Sequence, residues 1–167
     1  NPGVTIGKGE HKMGQRGSST NPVIFDDCRV PSDAILGNPN DGFRIAIAEL
    51  AGGRIGIGSL ALGVATAAMD IARAYVTQRE QFDKKISEFQ GIQWSLADTY
   101  TELEASRLLL MNAAYLKETH QPFMKQAAMA KLYATEAANK ACYNALQLMG
   151  GAGYTEQYPL ERFVRDV

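Results

Sequence analysis

The feature that most constrains this chain is a long stretch without proline. No proline occurs between Pro39 and Pro122, although the chain of 167 residues contains six of them. Proline breaks a helix because it lacks an amide hydrogen and clashes with the preceding turn. Residues 42–78 can therefore form one helix, about 50 Å long. A helix of this length predicts an architecture dominated by helices.

Two further long helices are predicted from apolar residues that recur three and four positions apart. One covers about residues 88–117. The other begins at Pro122 and ends at Gly150-Gly151, and a short last helix begins near Leu160. Long antiparallel helices joined by short loops form up-and-down bundles. The predicted fold class is therefore mainly α, a long-helix up-down bundle.

The first part of the chain, residues 1–41, has a different composition, rich in Gly, Pro, Ser, Asn and Asp. Two short runs of β-type residues, Val4–Ile6 and Val23–Phe25, lie between turn residues. Two strands are too few to form a stable sheet alone. Either the rest of the sheet is missing or another chain supplies it. We therefore expect the helical bundle, residues 42–167, to be preceded by a partial β-domain of a few strands.

Composition excludes several classes of protein. Hydrophobic residues make up 46% of the chain and the net charge is −1, whereas a disordered chain is less apolar and more highly charged. The isoelectric point of about 6.2 gives no electrostatic reason to expect nucleic acid as a partner. No uninterrupted apolar run reaches the roughly 18 residues of a spanning helix, so no membrane span is expected.

Cysteine and histidine give no sign of a metal site or a catalytic nucleophile. Cys28 and Cys142 fit no metal-ligand spacing, so both are expected to be buried or half-buried thiols. His11 and His120 belong to no zinc or triad pattern and are expected to be solvated.

The glycine-rich end of the third helix, Gln147–Tyr154, has two explanations. Glycines at a helix end form a cap, and they can also expose backbone N–H groups that cradle a phosphate. The segment is not a dinucleotide-binding GxGxxG motif, because no strand precedes it. From the residues alone, the simple cap is the favoured explanation.

Two other segments also leave alternatives open. Arg79 stands where the first helix ends, so it either complements the helix dipole or binds a phosphate or carboxylate through its planar guanidinium. Ala51–Arg54 places two glycines inside a helix, where each costs about 1 kcal/mol relative to alanine. Such glycines allow the close approach of either a neighbouring helix or a ligand.

Taken together, these segments resemble the acyl-CoA dehydrogenase family, and most closely its short-chain (butyryl-CoA) type. The ordered set covers essentially the whole chain. The matching segments are residues 12–20, 25–31, 53–57, 79–82, 89–93, 97–98, 104–109, 147–154 and 161–166.

The resemblance implies a longer enzyme with an N-terminal helical domain, a middle β-domain and a C-terminal four-helix domain. Residues 1–41 would be the C-terminal part of the middle β-domain. Residues 42–167 would be the C-terminal helical-bundle domain, incomplete at its end. The family usually forms a homotetramer, a dimer of dimers with FAD shared across subunits.

The resemblance also implies the chemistry. The family oxidises an acyl-CoA to the trans-2-enoyl-CoA: a carboxylate removes the α-proton while the β-hydride moves to flavin N5 of FAD. The implied partners are acyl-CoA and an electron-transfer flavoprotein. The implied location is the bacterial cytoplasm or the mitochondrial matrix. The choice is left open because the chain begins at Asn1 rather than Met, and we expect its natural N-terminus to be missing.

The resemblance carries site residues over by position. Those that match the family's contacts to the FAD of the neighbouring subunit are Arg79, Gln90, Gln147, Leu148, Met149, Gly150 and Gly151. Those that match the lining of the acyl-CoA pocket are Ala51, Gly52, Gly53 and Arg54.

The chain departs from the family pattern at two places. The catalytic glutamate of the short-chain type, in a Tyr-Glu-Gly motif, would follow a few residues after Val167, so no catalytic residue is expected within the chain. A minority branch places the base where this chain has Gly53. The second departure is Asp83, where the family usually has glycine.

Two alternatives to the dehydrogenase hypothesis remain at this point. One is a non-catalytic helical module that serves only self-association. The other is a related flavin-dependent oxidase that passes electrons to oxygen.

Overall fold

A computed structural model describes residues 2–167 and confirms the mainly helical fold. The described part contains four α-helices: α1 (Gly42–Val76), α2 (Gln90–Glu118), α3 (Met124–Leu148) and α4 (Leu160–Asp166). The starts and ends lie close to those predicted. The prediction that Pro122 opens the third helix was wrong by two residues, because Phe123 is the residue that precedes its first turn.

The two predicted strands are present, as β1 (Val4–Ile6) and β2 (Val23–Phe25). They pair antiparallel, with Val4 opposite Phe25 and Ile6 opposite Val23. Two of the apolar side chains in this pairing are largely exposed: Ile6 is 61% exposed and Phe25 is 71% exposed. A ribbon of two strands therefore forms no core of its own.

The chain divides into two compact units, one up to Glu49 and the other from Leu50 to Val167. The first unit contains β1 and β2 and ends within α1. The second contains the remainder of α1 and the other helices. The assignment of residues 1–41 to a middle β-domain and of residues 42–167 to a helical domain stays a prediction.

A small hairpin that sequence analysis did not foresee follows α1. Its strands are β3 (Glu80–Gln81) and β4 (Lys84–Lys85), and Glu80 pairs with Lys85. Phe82 and Asp83 form the turn with φ angles of 56° and 61°. Positive φ at both central residues defines a type I′ turn, which matches the twist of a hairpin. A 3₁₀ turn, Ile86–Glu88, then leads into α2.

The interior of the bundle consists largely of alanine, which lets helix backbones approach closely. One buried cluster joins residues of α1, α2, α3 and α4, with Met69, Cys142 and Leu160 among its largest members. A second cluster joins Leu110 and Ala113 of α2 to alanines of α3. Interiors packed in this way leave little room for added atoms.

Gly58 of α1 lies close to both α2 and α3. A Cβ atom at this position would lie 2.7 Å from Leu110 Cδ2 and 3.5 Å from the Cα atom of Lys131. A larger residue here would force the buried Leu110 side chain to move. The finding concerns Gly58 only and leaves open the two explanations for the glycines of Ala51–Arg54.

The α1 helix contains an 18-residue window with a mean hydropathy of 1.7. By length and composition, this one helix within residues 2–167 is therefore able to cross a membrane, a possibility that counting uninterrupted apolar runs had missed. Core helices of bundles pass the same test, and α1 buries residues such as Ala65, Met69 and Ala72 against its neighbours. The helix is weak evidence for a membrane span.

The two thiols behave as predicted. Cys142 is buried on α3 and Cys28 is half-buried, and neither forms a disulfide bond. Burial raises the pKa of the Cys142 thiol to about 11.

Candidate cofactor and substrate sites

Arg79 stands at the junction between α1 and the hairpin. Its N–H group donates a hydrogen bond of 2.8 Å to the Tyr75 carbonyl, and its own carbonyl accepts one of 2.9 Å from Ile86. The backbone is therefore held on both sides, whereas the side chain is exposed. Within residues 2–167, no hydrogen bond or ion pair engages the guanidinium group. This arrangement leaves an exposed cation, carried on a fixed backbone, available to bind an anion.

Gln90 is the first residue of α2, and its side chain is exposed. The N–H groups of Ile92 and Gln93 both bond to the carbonyl of Phe89, at 3.0 and 3.1 Å. The first turn of α2 is therefore well formed directly beneath Gln90. A side-chain amide on such a turn can donate to and accept from a polar ring.

The glycine-rich run at the end of α3 separates into buried and exposed residues. Leu148 and Met149 are 7% and 2% exposed and belong to the core, so their side chains serve packing. Gln147, Gly150 and Gly151 are exposed. Leu148 and Met149 therefore offer no side chain to a ligand, whereas Gln147, Gly150 and Gly151 are accessible.

Gly150 adopts a φ angle of 55°, which favours glycine, and a 3₁₀ turn (Gly150–Ala152) follows α3. A Cβ atom at Gly150 or Gly151 would meet nothing within 4 Å. The helix cap that the residues favoured is therefore present. The open space over both glycines also lets another molecule approach the backbone.

The three predicted cofactor segments, which are Arg79, Gln90 and residues 147–151, are anchored at one end of the bundle. The apolar residues that flank or belong to these segments pack in one cluster. They are Val76, Ile86, Ile92, Leu148 and Met149. The rings of Tyr75 and Tyr158 also meet edge to face at 6.0 Å, joining the end of α1 to the chain beyond Gly153. Within residues 2–167, no hydrogen bond or ion pair links Arg79 or Gln90 to the run 147–151.

The predicted substrate segment lies elsewhere, near the start of α1. Ala51 is buried, Arg54 is half-buried, and a Cβ atom at Gly53 would meet nothing within 4 Å. Between Gly53 and Val76 the helix rises about 35 Å. One chain therefore does not bring its two sets of predicted site residues together.

An open groove of about 830 Å³ borders the substrate segment. It brings a cation, Lys117, close to Gly52, since a Cβ atom at Gly52 would lie 2.8 Å from Lys117 Nζ. Sequence analysis expected His120 to be solvated, and no motif marks Lys117. The residues that line the groove are Gly52, Ile55, Gly56, Ala114, Lys117, Glu118, His120, Gln121 and Phe123.

Sequence analysis also missed the contacts made around Phe89. The Lys84 ammonium lies 4.2 Å from the centre of the Phe89 ring, and the Phe82 ring meets Phe89 edge to face at 6.2 Å. The only signal was two phenylalanines flanking a lysine-rich turn.

No group of three or more His, Cys, Asp or Glu side chains in the described residues is arranged to hold a metal ion.

The fold and the arrangement of these segments define the class of protein. The family described as acyl-CoA dehydrogenase, C-terminal domain, matches residues 40–167. The chain belongs to the acyl-CoA dehydrogenase family.

Individual relatives agree with this assignment. The chain is 51% identical over 165 residues to the human mitochondrial short-chain specific acyl-CoA dehydrogenase, covering 99% of this chain and 40% of that protein. It is 50% identical over 165 residues to the acryloyl-CoA reductase (NADH) of Anaerotignum propionicum, covering 99% of this chain and 42% of the reductase. The chain thus spans about two fifths of the length of these relatives.

A solved structure supports the same relationship. The butyryl-CoA dehydrogenase of Megasphaera elsdenii superposes with a TM-score of 0.97 at 44% identity, covering 99% of this chain and 43% of that one. The resemblance inferred from the ordered motifs is confirmed, as is the mainly helical fold.

Proposed function

We propose that the protein containing this chain is an FAD-dependent oxidoreductase that oxidises short-chain acyl-CoA to trans-2-enoyl-CoA. The observation that carries the proposal is Arg79: an exposed guanidinium on a fixed backbone, without a partner among the described residues. Arg79 and Gln90 flank the hairpin and the 3₁₀ turn that follow α1, in a chain that resembles short-chain acyl-CoA dehydrogenases over nearly its whole length.

The residues present fit a flavin nucleotide. Arg79 offers a planar cation that suits pyrophosphate, and such a pair is strengthened by the charge on the acceptor. Gln90 and Gln147 offer exposed amides that suit the polar edge of a flavin ring. Gly150 and Gly151 leave their backbone open to close approach. When bound, FAD would supply the acceptor for the hydride that leaves the substrate.

The substrate segment has a different task in this proposal. Gly52 and Gly53 leave the surface of α1 without side chains, so a thioester chain can lie against the helix. Ala51 is 1% exposed and fixes this part of the helix by packing. The half-buried Arg54 borders the same surface and would orient a polar part of the substrate.

The separation of the two segments along α1 supports a site shared between subunits. A substrate that reacts at a flavin must lie within a few ångströms of it. Residues about 35 Å apart along one helix cannot both lie next to the reacting atoms of one FAD and substrate. We infer that Arg79, Gln90 and the run 147–151 serve the FAD of a neighbouring copy, within a dimer of dimers.

No residue of the described chain is proposed as the base that removes the α-proton. The part of the chemistry assigned to this chain is to hold the cofactor, to shape the acyl-CoA pocket and to exclude water. The proposed electron acceptor is an electron-transfer flavoprotein. The proposed location is the bacterial cytoplasm or the mitochondrial matrix.

A second candidate function is reduction of a short enoyl-CoA, favoured by the 50% identity to an acryloyl-CoA reductase. The same binding residues would serve both directions of the reaction. The sequence also raised two alternatives, a flavin-dependent oxidase and a non-catalytic helical module. The following experiment distinguishes them from the dehydrogenase and the reductase.

The experiment uses the full-length protein loaded with FAD and freed of oxygen. Adding butyryl-CoA should bleach the flavin absorbance band, and mass spectrometry should detect crotonyl-CoA. A long-chain acyl-CoA serves as the control and should bleach the band far more slowly. Rapid peroxide production in air would instead identify an oxidase. Absence of bleaching by any acyl-CoA would overturn the proposed function.

A further inference from the structure

The hairpin that follows Arg79 is fastened to the start of α2 by a three-membered stack. Phe89 is its centre: Lys84 Nζ lies 4.2 Å from the centre of the ring, and the Phe82 ring packs against it at 6.2 Å. The two rings are inclined at 89°, the edge-to-face geometry that aromatic pairs prefer. A lysine ammonium at this distance from an aromatic ring is attracted by the electrons of its face.

The turn that this stack spans has an unfavourable backbone. Phe82 and Asp83 both adopt positive φ, and a bulky side chain in this region is a rare outlier. Such a conformation persists only where surrounding contacts impose it. Phe82 is nevertheless 87% exposed, so burial does not impose it. The pairing of β3 with β4 closes the turn, and the side chains of Phe82 and Lys84 add their contacts with Phe89.

The stack also lies between two proposed FAD-binding residues. Arg79 immediately precedes the hairpin, and its carbonyl accepts the hydrogen bond from Ile86 that closes it. Phe89 immediately precedes Gln90 and caps the start of α2. A shift of the hairpin relative to Phe89 would therefore shift the backbone of Arg79 relative to that of Gln90.

We propose that Lys84 and Phe89 are positioning residues, which hold Arg79 and Gln90 in the relative arrangement that FAD binding requires. The inference rests on the proposed function, because it assumes that these two residues bind FAD. Neither Lys84 nor Phe89 needs to touch the cofactor. Their effect passes through the hairpin and the first turn of α2.

The test measures the dissociation constant of FAD by fluorescence titration of the full-length apoprotein. Lys84→Met removes the charge but keeps the length of the side chain, and should weaken binding about 2- to 5-fold, the factor that an exposed cation–π contact represents. Phe89→Leu removes both contacts and should weaken it about 10-fold.

Two variants are controls. Lys85→Met removes the neighbouring charge, which faces the opposite side of the same strand, and should leave the dissociation constant unchanged. Lys84→Arg keeps a cation over the ring and should restore binding to that of the unsubstituted protein. Thermal unfolding followed by circular dichroism should give the same midpoint for Lys84→Met and Lys85→Met, which separates positioning from general loss of stability.

The outcomes distinguish the inference from the proposed function. Equal weakening by Lys84→Met and Lys85→Met, or failure of Lys84→Arg to restore binding, would overturn the positioning role. Arg79→Met serves as the reference for the cofactor site itself. If Arg79→Met leaves FAD binding unchanged, the proposed site is wrong and the positioning role is overturned with it.

Discussion

The side-chain amide of Asn144 on α3 donates a hydrogen bond of 2.9 Å to the hydroxyl oxygen of Thr99 on α2. Thr99 is fully buried, and its own hydroxyl donates to the Ser95 carbonyl at 2.7 Å. The pair satisfies two polar groups beside a core that is rich in alanine. It fixes how α2 and α3 are aligned along their length.

The first prediction concerns this contact. Thr99→Val keeps the shape of the side chain but removes the acceptor, leaving the half-buried Asn144 amide unpaired. We expect the free energy of unfolding to fall by about 1–3 kcal/mol, measured by urea denaturation. Thr101→Val removes an exposed hydroxyl on the same helix, bonded only to Ala97, and is the matched control. Equal losses for the two variants would contradict the role assigned to Thr99.

A second prediction compares two glycines of α1. Gly58→Ala places a methyl group 2.7 Å from Leu110 Cδ2, whereas Gly63→Ala places one in open space. We expect the first change to lower the free energy of unfolding by about 1–3 kcal/mol through overpacking. The second should raise it by up to about 1 kcal/mol, because alanine favours helix. Thermal unfolding of both variants gives the comparison, and a stabilising Gly58→Ala would refute the packing argument.

The third prediction concerns pH and thiol reactivity. Burial raises the pKa of Cys142 to about 11 from a reference of 9.0, so the thiolate is favoured in the unfolded chain. The protonated thiol therefore contributes to the stability of the fold below pH 9. This contribution is lost as the pH rises from 9 to 11. At pH 8 we expect a disulfide reagent to label Cys28 but not Cys142.

Two measurements check the labelling. In Cys28→Ser, labelling of the folded protein should disappear and should return when urea unfolds the chain. Rapid labelling of Cys142 in the folded Cys28→Ser variant would show that this thiol is accessible, contrary to its position in the core.

A fourth prediction concerns Asp83 in the hairpin turn. Its φ angle of 61° is one that glycine adopts without a steric penalty. We expect Asp83→Gly to raise the free energy of unfolding by about 0.5–1 kcal/mol, because removing Cβ relieves the turn. Asp83→Ala removes the charge but retains Cβ, so it should give no gain. A gain of the same size in both variants would point to the charge rather than the backbone as the source of the strain.

The fold could be predicted from the sequence largely because its signals are local. The long helices were predicted from the absence of proline in residues 40–121 and from the regular apolar spacing. The two strands were predicted from the β-type residues Val4–Ile6 and Val23–Phe25. The hairpin at residues 80–85 was missed because its turn lacks the glycine or asparagine that normally marks a type I′ turn. The apolar character of α1 was underestimated because its small residues interrupt every run.

The candidate site was less accessible to sequence reasoning. The ordered motifs led to Arg79, Gln90 and the run 147–151, and nothing in the structure tests their contact with a cofactor. No sequence pattern showed that this run contains both exposed and buried residues, of which Leu148 and Met149 are the buried ones. The neighbourhood of Gly52 and Lys117 and the stack on Phe89 depend on contacts between elements, which spacing along one chain cannot reveal.

The measurement that tests the central claim most directly is the flavin retained by the full-length protein after mixing with FAD and desalting. It compares the unsubstituted protein with Arg79→Met and with Arg73→Met, which removes an exposed arginine of α1 that pairs with Asp70. Our account predicts that the unsubstituted protein and Arg73→Met keep the yellow flavin spectrum. It also predicts that Arg79→Met binds FAD at least about 10-fold more weakly and loses the spectrum. Equal retention by all three proteins would contradict the claim that Arg79 belongs to a flavin site.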